Sequence, residues 1–294
     1  GNKDCPQTVS RVGESWEISA LPGRETVVAS GTYKGMTLTE LAGRFGAQLL
    51  GSGVRGRFGD RFPLLLKFID ANDNLSVQVH PDDATAMSHH NSPGKTEMWY
   101  VISAEPGAKV YVGLNSDITP AEFDRRVADN TFTEVLAEHE VAPGDVFFLP
   151  PGRVHAIGAG VLLAEIQESS DTTYRIYDYG RCDSDGCPRE LHTDLAREAI
   201  DYSVTPRHAR SSCGADGELA ACEYFRVRRL DVDGELTLNP GSESFTVLMC
   251  VAGRASLRYN GGNIELRGGT TVLCPAVMSG ITLEGQATVL EVRS

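Results

Sequence analysis

Ser76-Val77-Gln78-Val79-His80-Pro81 is the stretch on which the fold turns. Successive side chains of a strand point to opposite faces, so Gln78 and His80 project together while Val77 and Val79 face the other way. One strand thus offers two ligands. Glu97 opens a second strand-like run, Glu97-Met98-Trp99-Tyr100-Val101-Ile102, and His155 closes a third, Val146-Phe147-Phe148-Leu149, beyond a Pro150-Pro151-Gly152 turn. The set comprises two imidazoles, a carboxylate and an amide oxygen. It suits one zinc or another first-row divalent ion per chain, with a position left open for water or substrate.

A lone histidine after a strand is more often a packed or solvated side chain than a ligand. The pattern therefore carries the inference. Gly144, Pro150, Gly152 and His155 follow G-x5-P-x-G-x2-H, which resembles the second motif of the cupin superfamily, and Gln78-x-His80 followed by Glu97 resembles its first. The resemblance implies an all-β chain of double-stranded β-helix (jelly-roll) domains.

Composition narrows the function classes. A chain of 294 residues holds one large or two ordinary domains. No apolar run reaches the length of a membrane span, and Gly1-Asn2-Lys3-Asp4-Cys5-Pro6 lacks a signal-peptide apolar region, so the expectation is a cytoplasmic protein with no membrane partner. The formal charge of −13 argues against nucleic acid as a partner and leaves any phosphate to be captured by a few local cations. Seven scattered cysteines fit reduced thiols, and Cys182-x4-Cys187 reads as a solvated turn.

Gly and Pro punctuate short apolar runs along most of the chain, the mark of many strands. Two capping boxes break that rule. Thr37-Leu38-Thr39-Glu40 opens a helix with Leu41, Phe45 and Leu49 on one side, and Thr119-Pro120-Ala121-Glu122 opens another, an insertion in the first barrel. Further on, Gly269-Thr270-Thr271-Val272-Leu273-Cys274-Pro275 repeats the interval from Gly144 to Pro150, with Gly280 where His155 would recur. A second, metal-free barrel is expected over 216–294, after a catalytic metal-binding domain over 1–215. Arg226, Arg228 and Arg229 read as solvated strand residues, His89-His90 as part of a polar loop, and His139, His192 and His208 carry no ligand spacing.

Longer motifs point to a narrower family. The run from Pro63 through Asp83, with Gly94-Lys95-Thr96-Glu97-Met98-Trp99-Tyr100, Gly13-Glu14-Ser15-Trp16-Glu17-Ile18-Ser19 and Gln167 through Arg181, resembles the type I phosphomannose isomerases in their short bacterial form. The extra helical domain of the long members is missing, and Arg181 stands where those members carry a lysine. The resemblance implies metal-dependent interconversion of mannose 6-phosphate and fructose 6-phosphate by a monomer or homodimer. It implies metal ligation by Gln78, His80, Glu97 and His155, with Arg175 as the principal catalytic cation.

An enediol route needs an electrophile for the oxyanion, an acid/base group and a phosphate anchor. Lys95 is a candidate for proton transfer or charge stabilisation, and Glu165 and Asp171 are the carboxylate candidates. Either carboxylate could equally serve only to orient Arg175. Ser76 and Arg181 are the candidates for phosphate contact. Two other classes share the metal pattern: a metal cupin oxygenase, whose ligand sets are richer in histidine, and a non-catalytic sugar-phosphate-binding cupin.

Overall fold

The computed structural model describes residues 13–182, 185–205, 210–211 and 217–294. Cys5, Cys213, His208, the N-terminal hexapeptide and the expected domain boundary near 215 lie outside the described residues. The chain divides into two compact units, 69–211 and 1–68 with 212–294. Residues 13–68 thus group with the second barrel rather than with His80, Glu97 and His155.

The first unit to be traversed takes in β1 (Glu14–Ile18), α1 (Leu38–Phe45), α2 (Ala47–Leu50), α3 (Ser52–Phe58) and β2 (Leu64–Ala71), whose last residues enter the other unit. Thr37 and Glu40 form the expected reciprocal cap on α1. The helical run is shorter than the sequence pattern suggests. Gly46 takes φ 49° and ends α1, so Leu49 belongs to α2.

Unit 69–211 contains β3 (Val77–Val79), α4 (Asp83–His90), β4 (Glu97–Ala104), β5 (Lys109–Leu114), α5 (Pro120–Ala128), β6 (Leu136–Glu140), β7 (Val146–Leu149), β8 (His155–Ile157), β9 (Val161–Glu168), β10 (Tyr174–Tyr177), α6 (Thr193–Ala199) and β11 (Arg210–Ser211). One sheet has the order β9-β4-β7-β11 within this unit, and the other runs β10-β3-β8-β5-β6. Trp99, Val101, Phe147, Leu149 and Leu163 of the first sheet meet Val110, Val112 and Ile157 of the second in one buried cluster. That is a jelly-roll barrel with its core between two antiparallel sheets.

A second apolar layer lies on the outer face of the β3 sheet. Val77, Val79, Tyr174 and Ile176 pack there with Phe123 of α5 and Ala196 of α6. The period-two alternation of β3 therefore has a physical partner on both sides: helices behind, barrel interior in front. α4 and α6 are helices beyond the expected pair, and His89-His90 closes α4 rather than lying in a loop.

The remaining strands, β12 (Glu218–Ala221), β13 (Arg226–Leu238), β14 (Thr246–Tyr259), β15 (Gly262–Arg267), β16 (Thr271–Cys274) and β17 (Ile281–Arg293), build the second barrel. They pair as β12-β13-β17-β14-β15, with β16 also on β14. Leu230, Val232, Leu248, Leu257, Leu283 and Val289 form its core.

Candidate metal centre

His80, Glu97 and His155 bring their ligand atoms within 4.8 Å of one another, and all are at most 2% exposed. Each arrives by a different route. Gln78 and His155 face each other across the antiparallel β3–β8 pair. The Pro150-Pro151-Gly152 turn carries the chain from one sheet to the other, so His155 opens β8 instead of closing β7. Gly152 holds φ 81°, its N–H donates to the His80 carbonyl at 2.9 Å, and a Cβ there would lie 2.9 Å from the Ala199 carbonyl oxygen. Only glycine fits that turn.

Both imidazoles are fixed by backbone acceptors. His80 Nδ1 donates to the Thr172 carbonyl at 3.0 Å, and His155 Nδ1 donates to the Arg153 carbonyl at 2.8 Å. Each ring then presents the lone pair of Nε2 to the interior, the tautomer a metal requires. Burial is the main cause that pushes His80 down to about 3, with Lys95 adding to it against the pull of Glu97. Burial likewise lowers His155. Both rings are neutral at physiological pH, as a metal ligand must be.

Glu97 receives these groups from the facing sheet. Its Oε2 lies 3.4 Å from His80 Nε2 and 2.9 Å from Lys95 Nζ, and its Oε1 lies 3.3 Å from His155 Nε2. Burial opposes its ionisation, but the Lys95 cation and the two histidines outweigh that and hold the carboxyl well below the usual range. Apart from the Lys95 ammonium on Oε2, neither carboxylate oxygen has a donor among the described residues, although both are buried. Buried acceptors with unused lone pairs are costly unless a further cation takes them. Together with two convergent imidazole lone pairs, they fit a divalent metal ion.

Lys95 reaches this cluster although β4 begins only at Glu97. Its backbone N–H donates to the Pro81 carbonyl at 3.1 Å, and Gly94 N–H donates to Asp83 Oδ1 at 2.7 Å. A Cβ on Gly94 would lie 2.6 Å from the backbone at Asp82 and Asp83. That close crossing staples Gly94-Lys95 to the end of β3 and sets Lys95 Nζ 3.0 Å from His80 Nε2. Gln78 Nε2 donates to His155 Nε2 at 3.1 Å. A half turn of the carboxamide offers its oxygen instead.

Arg175 stands opposite Gln78 in the β10–β3 pair, so one row across the sheet reads Arg175, Gln78, His155, Val112. Its Nη1 donates to the Glu190 carbonyl at 2.7 Å, its backbone N–H donates to His192 Nδ1 at 3.2 Å, and its buried Nε has no acceptor among the described residues. Six residues on, Arg181 binds the buried carboxylate of Asp178 through Nε at 3.1 Å, and Arg189 takes the same carboxylate bidentately, Nε at 2.6 Å. Burial resists ionisation of Asp178, yet Arg189 and Arg181 more than offset it and lower its pKa. Two guanidiniums on one carboxylate, with Arg175 near enough to feel all three charges, leave this corner of the site cationic.

The other candidates are placed differently. Glu165 pairs in register with Trp99, accepts from its indole N–H at 3.0 Å, and shares the inner strand face with Gln167, the partner of Glu97. Trp99 in turn meets the His155 ring edge-on, with centroids 5.3 Å apart. Ser76 is buried just before β3. Asp171 is exposed, one residue before the carbonyl that fixes His80, and no contact joins its side chain to the cluster among the described residues. Arg189 is the residue that sequence reasoning passed over, and His192, given no role there, holds the Arg175 backbone. Their only sequence signal is the segment Pro188-Arg189-Glu190-Leu191-His192 following Arg181.

Comparison with known proteins gives this geometry a context. Residues 2–100 match the family model for the phosphomannose isomerase type I catalytic domain, and residues 216–294 match that for the mannose-6-phosphate isomerase cupin domain. Mannose-6-phosphate isomerase ManA of Bacillus subtilis (strain 168) is 37% identical over 94% of this chain and 88% of its own. Mannose-6-phosphate isomerase of Streptococcus mutans serotype c is 34% identical over 95% of this chain and 87% of its own. The crystal structure of the mannose 6-phosphate isomerase from Bacillus subtilis superposes with a TM-score of 0.84 at 34% identity, covering 95% of this chain and 89% of that one.

Proposed function

The chain belongs to the type I phosphomannose isomerase family, and on that premise we propose that it interconverts mannose 6-phosphate and fructose 6-phosphate through an enediol at the His80, Glu97, His155 cluster. The observation that carries this reading is the single row of Arg175, Gln78 and His155, which puts a guanidinium beside the metal ligands.

Gln78, His80, Glu97 and His155 are assigned as the ligands of one zinc ion. Two imidazoles, a carboxylate and a carboxamide oxygen form a borderline, oxygen-containing set that suits zinc in a Lewis-acid role better than a redox metal. When bound, the metal supplies polarisation of the substrate carbonyl or its neighbouring hydroxyl. The remaining tasks fall to side chains. Arg175 stabilises the oxyanion that develops as the proton leaves carbon 2, and its buried Nε is the donor still available for it. Lys95, hydrogen-bonded inside the ligand cluster, is assigned to moving that proton between the adjacent carbons. Glu165, held by the Trp99 indole, lines the wall behind His155. Asp171, exposed, is assigned only to the rim.

The substrate phosphate is assigned to Arg181 and Arg189, held together by Asp178, with Ser76 contributing a hydroxyl. Guanidinium forks match a phosphate bidentately, which a lysine cannot do. The unit 69–211 is then the catalytic one, and the second barrel carries no metal. A cytoplasmic setting accords with the free thiols of Cys182, Cys250 and Cys274. Solvent-deuterium incorporation at carbon 2 of mannose 6-phosphate tests the proposal. Incorporation that disappears in Arg175→Ala and Glu97→Gln supports it, and incorporation unaltered by either change contradicts it.

A further inference from the structure

The second barrel ends in an arginine-lined cavity where the first barrel ends in its metal ligands. Register shows the equivalence. Glu97 pairs with Leu149, the residue before Pro150, and Thr246 pairs with Cys274, the residue before Pro275. Two residues along, Trp99 pairs with Glu165 and Leu248 pairs with Glu291. Thr246 and Glu291 therefore occupy the places of Glu97 and Glu165.

The unbroken β13–β17 ladder sets Arg226 opposite Arg293 and Arg228 opposite Glu291. Leu230 and Val232 on β13, with Leu283 and Val289 on β17, face the barrel core, so alternation turns Arg226, Arg228, Glu291 and Arg293 to that same inner face. Arg226 and Arg228 keep 65% and 41% of their side-chain surface in solvent, as their sequence suggests, yet they share this face with Glu291 and Arg293. They line a cavity of about 80 Å³.

Its polar groups are incompletely used. Arg226 pairs with Glu218 at 3.2 Å and Arg228 Nε with Glu291 Oε2 at 3.4 Å, while the buried Nε of Arg293 has no hydrogen-bond acceptor among the described residues. Thr246 is 1% exposed and its hydroxyl has no partner among the described residues. The buried Arg293 donor lining a small cavity calls for an acceptor. With about 30 Å³ per water in the liquid, the cavity holds a tetrahedral oxyanion but not a hexose.

We propose that the second barrel binds a phosphate group at Arg228, Arg293 and Thr246, separate from the metal centre of the first. It rests on the second barrel alone, independent of the reaction assigned above. Guanidiniums give the charge and the fork, Thr246 gives a fixed hydroxyl donor, and Glu291 orients Arg228.

Hydrogen exchange on the metal-loaded full chain is the test, with inorganic phosphate, glucose 6-phosphate and chloride titrated at equal ionic strength. The site predicts slower exchange in the terminal residues of β13 and β17 with phosphate but not with chloride. Stronger protection by the ester assigns the source to a sugar phosphate, and stronger protection by the free ion to inorganic phosphate. Arg293→Met removes the protection while isomerase kcat and KM stay within a factor of two. Thr246→Val, an isosteric change that removes an unsatisfied hydroxyl and so keeps the fold, weakens phosphate binding several-fold. No protection in the wild type, equal protection by chloride, or full protection in both variants overturns the proposal.

Discussion

Arg175 stands directly opposite Gln78 in the β10–β3 pair, so its guanidinium and the proposed metal share one face of one sheet. Arg175 is not a ligand in this account. Arg175→Ala is therefore expected to lower kcat by about 10²–10³, the usual cost of losing one oxyanion donor, while metal content stays at one per chain. Steady-state kinetics and metal analysis on the same sample check both halves.

Lys95 offsets the buried charge of Glu97. Losing one partner of a buried pair costs about 3–5 kcal/mol because the other charge is left uncompensated. A bound cation takes over that compensation. Thermal unfolding of Lys95→Met should thus fall well below wild type in chelator and come close to it when metal is restored. Equal gaps in both conditions would contradict the pairing.

Asp178 gives the pH dependence a definite sign. Its folded pKa lies below the ordinary 3.8, so its contribution to stability is fully present above that value and is lost as pH falls through the lowered one. The stability difference between wild type and Asp178→Asn should be constant from neutral pH down to about 4 and shrink below it. The same variant frees Arg181 and Arg189 from their shared anchor, and KM for the sugar phosphate should rise several-fold with a smaller change in kcat.

Gln78 touches both His155 and the Arg175 row. Gln78→Leu removes a ligand oxygen and is expected to weaken metal affinity at least tenfold, on the scale of altered ligand support. Competition against a calibrated chelator measures it. Unchanged affinity would remove Gln78 from the ligand set.

The barrels and the grouping of His80, Glu97 and His155 were legible because strand alternation and motif spacing act locally. α1 and α5 were legible for the same reason, through caps that bond within three residues. α4 was not, since only Ala86 among its residues is buried and no apolar stripe marks it. Lys95 reaches the site through a backbone crossing with Pro81 rather than by alternation on β4, a contact that no spacing rule encodes. Arg189 meets Asp178 only because the chain doubles back after Gly180. The arginines of β13 read as surface residues and keep much of that exposure, but only the ladder with β17 shows that Arg226 and Arg228 share a face with Leu230.

Isomerase rate measured against metal content per chain tests the central claim most directly. Protein stripped by chelator and reloaded stepwise should convert mannose 6-phosphate to fructose 6-phosphate in proportion to bound metal, rising from none to a maximum at one ion per chain. Turnover that persists in fully stripped protein, or none at full occupancy, would contradict the account.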